Sequence, residues 1–146
     1  MNSSTCIFCS IVRGDIPASV VYEDEQVLAF LDIDPIQKGH VLVIPKLHVT
    51  NLLDVPEALY GPLFRAAQRV ARAQKKGLGA DGVNLLQNNG SAAGQVIDHV
   101  HLHLIPRYEG DGLHWSWQSD GYESRAESQE TADKIKKVID EWIAYR

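Results

Sequence analysis

The segment His99-Val100-His101-Leu102-His103-Leu104-Ile105 alternates imidazole and apolar side chains, an alternation typical of a β-strand. Side chains of a strand point alternately to its two faces. We therefore expect His99, His101 and His103 on one face and the apolar residues on the face that packs into a core. Neighbouring side chains on one face lie about 6.5–7 Å apart, so the three imidazoles could contact different parts of one diphosphate-sized ligand.

The remaining strands indicate an antiparallel sheet. Runs rich in β-branched and aromatic residues, bounded by turn residues, predict strands over 19–23, 27–33, 40–44, 82–88 and 98–107. The first three are short and consecutive, which favours a meander. Pro45 should stop the third strand, because proline has no N–H for the ladder.

Two helical patterns complete the predicted fold. Apolar residues at three- and four-residue steps predict a helix from Pro56 to about Lys76, ended by Gly77 and Gly79. A second apolar pattern near the C-terminus comprises Ile135, Val138, Ile139, Trp142 and Ile143. Helices packed on an antiparallel sheet are the α+β class. The 146 residues, 45% of them hydrophobic, suit one domain over 1–146, with a motif-bearing core of about 6–117 and a C-terminal extension of about 118–146.

Composition argues against two classes of partner. The net charge is -5 and the chain has no basic run, so polymeric nucleic acid is not expected as a partner. No apolar stretch is long enough to span a bilayer, and the first five residues lack the features of a signal peptide. We expect a cytoplasmic protein without a membrane partner.

The three histidines permit two kinds of chemistry. Imidazole is a common ligand of zinc and transition metals, so the three could form a catalytic metal site. Alternatively, a neutral His101 attacks phosphorus while His103 and the peptide N–H groups of the turn at Gly94 stabilise the phosphoryl charge. The residues alone leave both hypotheses open.

The only two cysteines lie together in Cys6-Ile7-Phe8-Cys9. In a reducing compartment this spacing favours a metal site or a redox pair over a structural disulfide. Two free thiols packed as small apolar groups are the third alternative.

The chain resembles the histidine triad family, whose signature is three histidines separated by single apolar residues. The segment 99–105 matches that signature in full, and 30–35, 39–46 and Gly94-Gln95 occur in the family's order and spacing. The resemblance implies a sheet of about five antiparallel strands, usually in a homodimer. It also implies cleavage of nucleotide derivatives through a covalent nucleotidyl-histidine.

The resemblance assigns roles to particular residues. His101 matches the nucleophile, His103 the histidine that contacts phosphate, and His40 a supporting histidine near the nucleophile. The implied nucleotide-binding residues are Asp32, Ile33, Asn88, Gly94, Gln95, Val96, His101 and His103. Val96 departs from several relatives, which carry Ser or Thr there, so only its backbone N–H is available to a phosphate.

Some relatives also bind a structural zinc ion, and this chain has the matching residues Cys6, Cys9, His48 and His99. A Cys2His2 site has no open coordination position, so His99 would hold the strand rather than react. No organic cofactor is expected.

These observations predict a nucleotide phosphoramidase or nucleotidyl hydrolase that acts on AMP- or GMP-linked small molecules through His101. Its partner would be a purine nucleotide substrate. The alternatives are a dinucleoside polyphosphate hydrolase and a non-catalytic, nucleotide-binding regulatory protein.

Overall fold

One antiparallel sheet of five strands carries the fold of the computed structural model, which describes residues 3–115 and 119–145. The elements are α1 (Ile7–Arg13), β1 (Val20–Glu23), β2 (Val27–Leu31), β3 (Val41–Pro45), α2 (Tyr60–Leu78), β4 (Gly82–Leu86), β5 (Leu102–Arg107) and α3 (Arg125–Ala144). The strand order is β1-β2-β3-β5-β4, and each neighbouring pair is antiparallel. The predicted α+β class, the sheet and the meander of the first three strands are confirmed.

The chain forms two units, Met1–Asp111 and Gly112–Arg146. The first contains the sheet with α1 and α2, and the second contains α3, whose first turn is capped by Ser124. The predicted C-terminal helix is confirmed, whereas the single domain stays a prediction, and its predicted division at 117–118 lies outside the described residues. Within the described residues, no helix combines the length and apolarity needed to cross a membrane.

Apolar side chains cover both faces of the sheet. On one face, Val100, Leu102 and Leu104 belong to a buried cluster with residues of α2, including Leu63 and Val70. The other face has a cluster formed by α1 and its flanking residues with β2 and β3, comprising Cys6, Phe8, Cys9, Leu28, Phe30, Leu42 and Ile44. Each large apolar side chain buried here contributes about 1.5–3 kcal/mol to stability. The predicted face of Val100, Leu102 and Leu104 is therefore confirmed.

Helix α2 begins later than predicted. A short 3-10 turn, Glu57–Leu59, follows Pro56, and the α-helix starts at Tyr60. Gly77 lies within the helix, while Gly79 ends it with a left-handed φ of 69°. The prediction that Gly77 ends the helix is wrong, because one glycine costs a helix only about 1 kcal/mol and burial of the apolar stripe outweighs that cost.

Strand β5 begins at Leu102, so the prediction that His99 and His101 lie within it is wrong. The backbone of this segment bonds outside the ladder, since the N–H of Val100 donates to the carbonyl of Val49 at 2.7 Å. His99 is also fully buried, which excludes three equally accessible imidazoles in a row.

Strand β3 was predicted to end at Ile44, because Pro45 should stop it. Pro45 is instead the last residue of β3, where it pairs with Val27. The pairing of β3 with β5 ends at Val43 and Leu102. The missing N–H of Pro45 therefore leaves no gap in that ladder.

Candidate active site and metal centre

Helix α1, which the sequence prediction missed, holds the N-terminal side chains at the sheet. Cys6 precedes the helix, while Phe8 and Cys9 lie in it, and all three are buried. Gly14 ends the helix in the left-handed region, with φ 81°. Apolar residues at Phe8 and Ile11 followed by Gly14 are a signal that could have identified this short helix.

Two cysteines and two histidines converge between α1 and the sheet. His99 Nδ1 lies 3.5 Å from Cys6 Sγ and 3.6 Å from Cys9 Sγ, and His48 Nδ1 lies 3.3 Å from Cys9 Sγ. The four ligand atoms all lie within 4.8 Å of one another. In a tetrahedral zinc site, bond lengths of 2.3 Å to sulfur and 2.0–2.1 Å to nitrogen give S···N separations of about 3.6 Å. The spacing therefore fits a metal ion, and these four residues could hold one.

The protonation of His99 also suits a metal. His99 Nε2–H donates to the carbonyl of Pro45 at 2.8 Å, which leaves the lone pair on Nδ1 facing both thiols. Burial lowers the pKa of His99 to about 4, so the ring is neutral at pH 7. Burial, with hydrogen bonding from Cys6, raises the pKa of Cys9 to about 11. A redox-active cysteine needs a lowered pKa, so the raised pKa of Cys9 gives no support to a redox role for that residue.

His101 has a different partner. Its Nδ1 lies 2.7 Å from the carbonyl oxygen of His99, which can only accept a hydrogen bond. The proton of a neutral ring is therefore on Nδ1, and the lone pair is on Nε2. Burial lowers the pKa of His101, which keeps that lone pair free of a proton at pH 7. The ring of Phe8 packs edge-on against His101, with centroids 5.3 Å apart.

His103 lies beside His101, with ring centroids 4.8 Å apart, and its Nδ1 faces His40 Nε2 at 2.9 Å. Burial lowers the pKa of His40 and lowers that of His103 to about 4. His40 was predicted to support the nucleophile. Its Nε2 lies within hydrogen-bond distance of His103, the neighbour of that nucleophile, and its supporting role stays a prediction.

Asp32 lies at the edge of this histidine group. One carboxylate oxygen accepts the N–H of Asp34 at 2.9 Å, and the other lies 3.8 Å from His40 Nε2. One oxygen is thus engaged in a local turn. Neighbouring Ile33 is 96% exposed. Their contacts with a nucleoside stay predictions.

The loop after β4 begins next to His103, because Leu86 pairs with His103 across the sheet. Asn88 Nδ2 donates to the carbonyl of Gly94 at 3.5 Å. Gly94 has φ 86°, a conformation that side-chain-bearing residues rarely adopt. The structure therefore joins Asn88 to the Gly94 turn that the sequence pointed to.

Gln95 holds this loop in place. Its side-chain oxygen accepts the N–H of Gly90, and its amide nitrogen donates to the carbonyls of Thr50 and Ile97. The N–H groups of Gly94 and Gln95 both bond within the loop. These two N–H groups are therefore already bonded to carbonyls, and phosphate binding by the turn stays a prediction. Val96 is 83% exposed, and among the described residues its N–H has no bonded acceptor.

Residues 13–110 match the HIT domain. The chain belongs to the HIT family. It is 41% identical over 143 residues to the adenosine 5'-monophosphoramidase of Saccharomyces cerevisiae, covering 97% of this chain and 82% of that protein. Since this relative is named for a hydrolytic activity, the HIT chain is classed as a hydrolase.

Solved structures similar to this HIT chain include proteins from two bacteria. A Streptococcus mutans protein has a TM-score of 0.87 and 45% identity, covering 95% of this chain and 87% of that one. A zinc-bound histidine triad family protein from Mycobacterium smegmatis has a TM-score of 0.74 and 42% identity, covering 94% and 99%. The fold is thus that of the HIT family.

Two further residues of this HIT site were not identified from the sequence. Phe8 contacts the rings of both His99 and His101. The backbone N–H of Ile36 donates to His40 Nδ1 at 3.2 Å. The position of Phe8 between the cysteines was a usable signal, whereas a backbone donor leaves no trace in the identity of its side chain.

Proposed function

We propose that this HIT protein is a nucleotide phosphoramidase or nucleotidyl hydrolase that acts on AMP- or GMP-linked small molecules. The observation that carries the proposal is the bond from His101 Nδ1 to the His99 carbonyl, which leaves the lone pair on Nε2. A neutral imidazole with one ring nitrogen held protonated is an activated nucleophile.

In the proposed reaction, His101 Nε2 attacks the phosphorus of the nucleotide. A bond forms between that nitrogen and phosphorus, and the bond to the leaving group breaks, so the leaving group departs with the electron pair and takes up a proton from solvent. The ring then carries positive charge, and its Nδ1–H bond to the His99 carbonyl becomes charge-assisted and stronger. This gain arises only as the reaction proceeds, so it lowers the barrier. Water then attacks phosphorus and breaks the nitrogen–phosphorus bond. Its oxygen stays on the nucleoside monophosphate, one proton is released to solvent, and Nε2 recovers its electron pair, so the ring is neutral again.

The other predicted residues have compatible positions. His103, beside His101, would donate to a phosphoryl oxygen. The N–H of Val96 and the side chain of Asn88 would contact the phosphate, and Asp32 with Ile33 would bind the nucleoside. Gly94 and Gln95 would shape the turn, and their N–H groups would not donate to the phosphate.

The test is to trap the covalent intermediate. Wild-type protein is mixed with an adenosine phosphoramidate labelled with ³²P, quenched within milliseconds and separated from free nucleotide. Label should remain on wild-type protein and be absent from His101→Asn, whose side-chain N–H can still donate to the His99 carbonyl. Label on the variant would refute His101 as nucleophile. A kcat/KM panel of adenosine and guanosine phosphoramidates and dinucleoside polyphosphates would then rank the substrates.

We also propose that Cys6, Cys9, His48 and His99 hold a structural zinc ion. When bound, zinc would join the N-terminal segment to the residues before β5 and leave no open position for substrate. The S···N distances of 3.3–3.6 Å support this assignment. A homodimer and a cytoplasmic location, favoured by the resemblance and the composition, stay predictions.

Elemental analysis tests the zinc proposal. Purified protein should contain one zinc per chain, and Cys9→Ser should contain none. Turnover by protein that stays folded after chelation would exclude a catalytic metal. Wild-type protein without zinc that keeps the same melting temperature when zinc is added would refute the structural site.

A further inference from the structure

His40 is held by a backbone group outside the proposed reaction centre. Its ring is 2% exposed, and the N–H of Ile36 donates to its Nδ1 at 3.2 Å. A peptide N–H has no lone pair to accept with, so the facing Nδ1 must be unprotonated. A neutral imidazole carries one proton, and in His40 it must therefore be on Nε2.

That proton is directed at His103. His40 Nε2 lies 2.9 Å from His103 Nδ1, within hydrogen-bond range, whereas the nearer Asp32 oxygen is 3.8 Å away. His103 Nδ1 thus accepts, and the proton of the His103 ring must be on its Nε2. Burial lowers the pKa of both histidines, which keeps each ring neutral with a single proton at pH 7.

We infer that the backbone N–H of Ile36, acting through His40, holds His103 in the tautomer whose Nε2 carries the proton. Ile36 and His40 are then positioning residues. The use of that proton rests on the proposed function, in which His103 donates to a phosphoryl oxygen. The opposite tautomer would direct a lone pair at that oxygen and repel it.

The same proton pattern decides against a metal at a second group of side chains. Asp32, His40 and His103 bring three potential ligand atoms within 4.8 Å of one another. A metal there would need lone pairs on the two facing nitrogens, His40 Nε2 and His103 Nδ1. His40 Nε2 carries a proton as long as Ile36 donates to its Nδ1, so this group is a hydrogen-bonded chain.

The loop around Ile36 keeps its amide in place without using its side chain. The N–H of Asp32 donates to the carbonyl of His40 at 2.9 Å, and the N–H of His40 donates to the backbone carbonyl of Gln37 at 2.9 Å. The Ile36 side chain is 49% exposed. Its replacement by valine therefore retains the backbone donor, whereas proline removes it.

Nitrogen-15 NMR of the imidazole rings, at pH 7.5 and without substrate, tests the inference directly. Wild-type and Ile36→Val proteins should show His103 protonated on Nε2. Ile36→Pro should show a mixture of tautomers at His40 and His103. Protonation of His103 on Nδ1 in wild-type protein would overturn the inference. An unchanged spectrum in folded Ile36→Pro would overturn it equally.

A second pair of variants covers the case in which Ile36→Pro fails to fold. The amide of His40→Gln can donate to His103 Nδ1, whereas His40→Leu cannot. We expect His40→Leu to lose the Nε2–H signal of His103 and to lower kcat about 100-fold, the cost of losing one donor to the developing charge, with little change in KM. His40→Gln should restore the signal and most of kcat. Equal effects of both substitutions would overturn the inference. Because the NMR signal needs no substrate, it stays interpretable if the proposed reaction is wrong.

Discussion

The two ends of the segment 99–103 use the same side chain in opposite environments. His99 is fully buried, its Nδ1 faces two thiols and its Nε2 bonds to the carbonyl of Pro45. His103 is half-buried, and its Nδ1 bonds to another imidazole. Between them, the Nδ1 of His101 bonds to a backbone carbonyl. The partner of Nδ1 thus distinguishes the three histidines.

The partner decides where the proton and the lone pair lie. At His99, the facing thiols and the Nδ1 lone pair could bind a metal. At His101, the carbonyl holds the proton on Nδ1 and leaves the lone pair on Nε2. At His103, the imidazole of His40 donates to Nδ1, so the ring proton is on Nε2. Substitutions of the three histidines should therefore have different effects on turnover, zinc content and stability.

The largest expected effect is on turnover at His101. His101→Asn removes the proposed nucleophile and should lower kcat about 10⁶-fold, the size of loss seen when an enzyme's nucleophile is removed. The asparagine N–H can replace the bond to the His99 carbonyl, so the zinc content and melting temperature should stay close to wild type. Single-turnover kinetics together with calorimetry measure both. Substantial turnover by His101→Asn would show that His101 is not the nucleophile and does not differ in role from His99.

The next effect is on stability at His99. His99→Asn removes a proposed zinc ligand and should lower the free energy of unfolding by about 4 kcal/mol, since loss of a structural metal is among the largest single-site effects. Denaturant titration and elemental analysis measure it, with His101→Asn as the matched control. Full zinc content in His99→Asn would show that His99 is not a ligand.

Phe8 should support both the proposed zinc ligand and the proposed nucleophile, because its ring contacts His99 and His101. Phe8→Ala leaves a cavity and should cost about 3 kcal/mol, whereas Phe8→Leu should cost about half as much. Thermal unfolding measures the difference. If Phe8→Ala were as stable as wild type, the packing of α1 would support neither His99 nor His101.

The smallest effect concerns pH. The folded pKa of His103 is lowered to about 4, so the unfolded chain binds more protons between pH 6.5 and 4. Stability from His103 is fully present above pH 6.5 and is lost as pH falls. The groups facing it are His101, His40 and Asp32. Between pH 7 and 5, His103→Asn should lose about 1 kcal/mol less unfolding free energy than wild type, allowing for partial exposure. An equal loss of unfolding free energy in both proteins would contradict the lowered pKa of His103.

Much of the fold followed from local patterns. Alternation placed Val100, Leu102 and Leu104 on the core face, and spacing indicated the five strands and two longer helices. The predicted metal residues also converge. The start of β5 was mispredicted because the Val49 carbonyl takes the N–H of Val100, a long-range bond with no periodic signal. The short helix α1 was missed for want of a long apolar stripe.

The sequence by itself determined the core face of Val100, Leu102 and Leu104 and the set of residues that can hold a metal, because side-chain alternation and motif spacing can be read along the chain. Only the tertiary structure decided what each imidazole can do. The tautomer of a ring depends on the atom facing each nitrogen, and for His99 and His103 that atom comes from distant segments, at Cys6, Cys9, Pro45 and His40. The backbone N–H of Ile36, present whatever its side chain, completes the pattern.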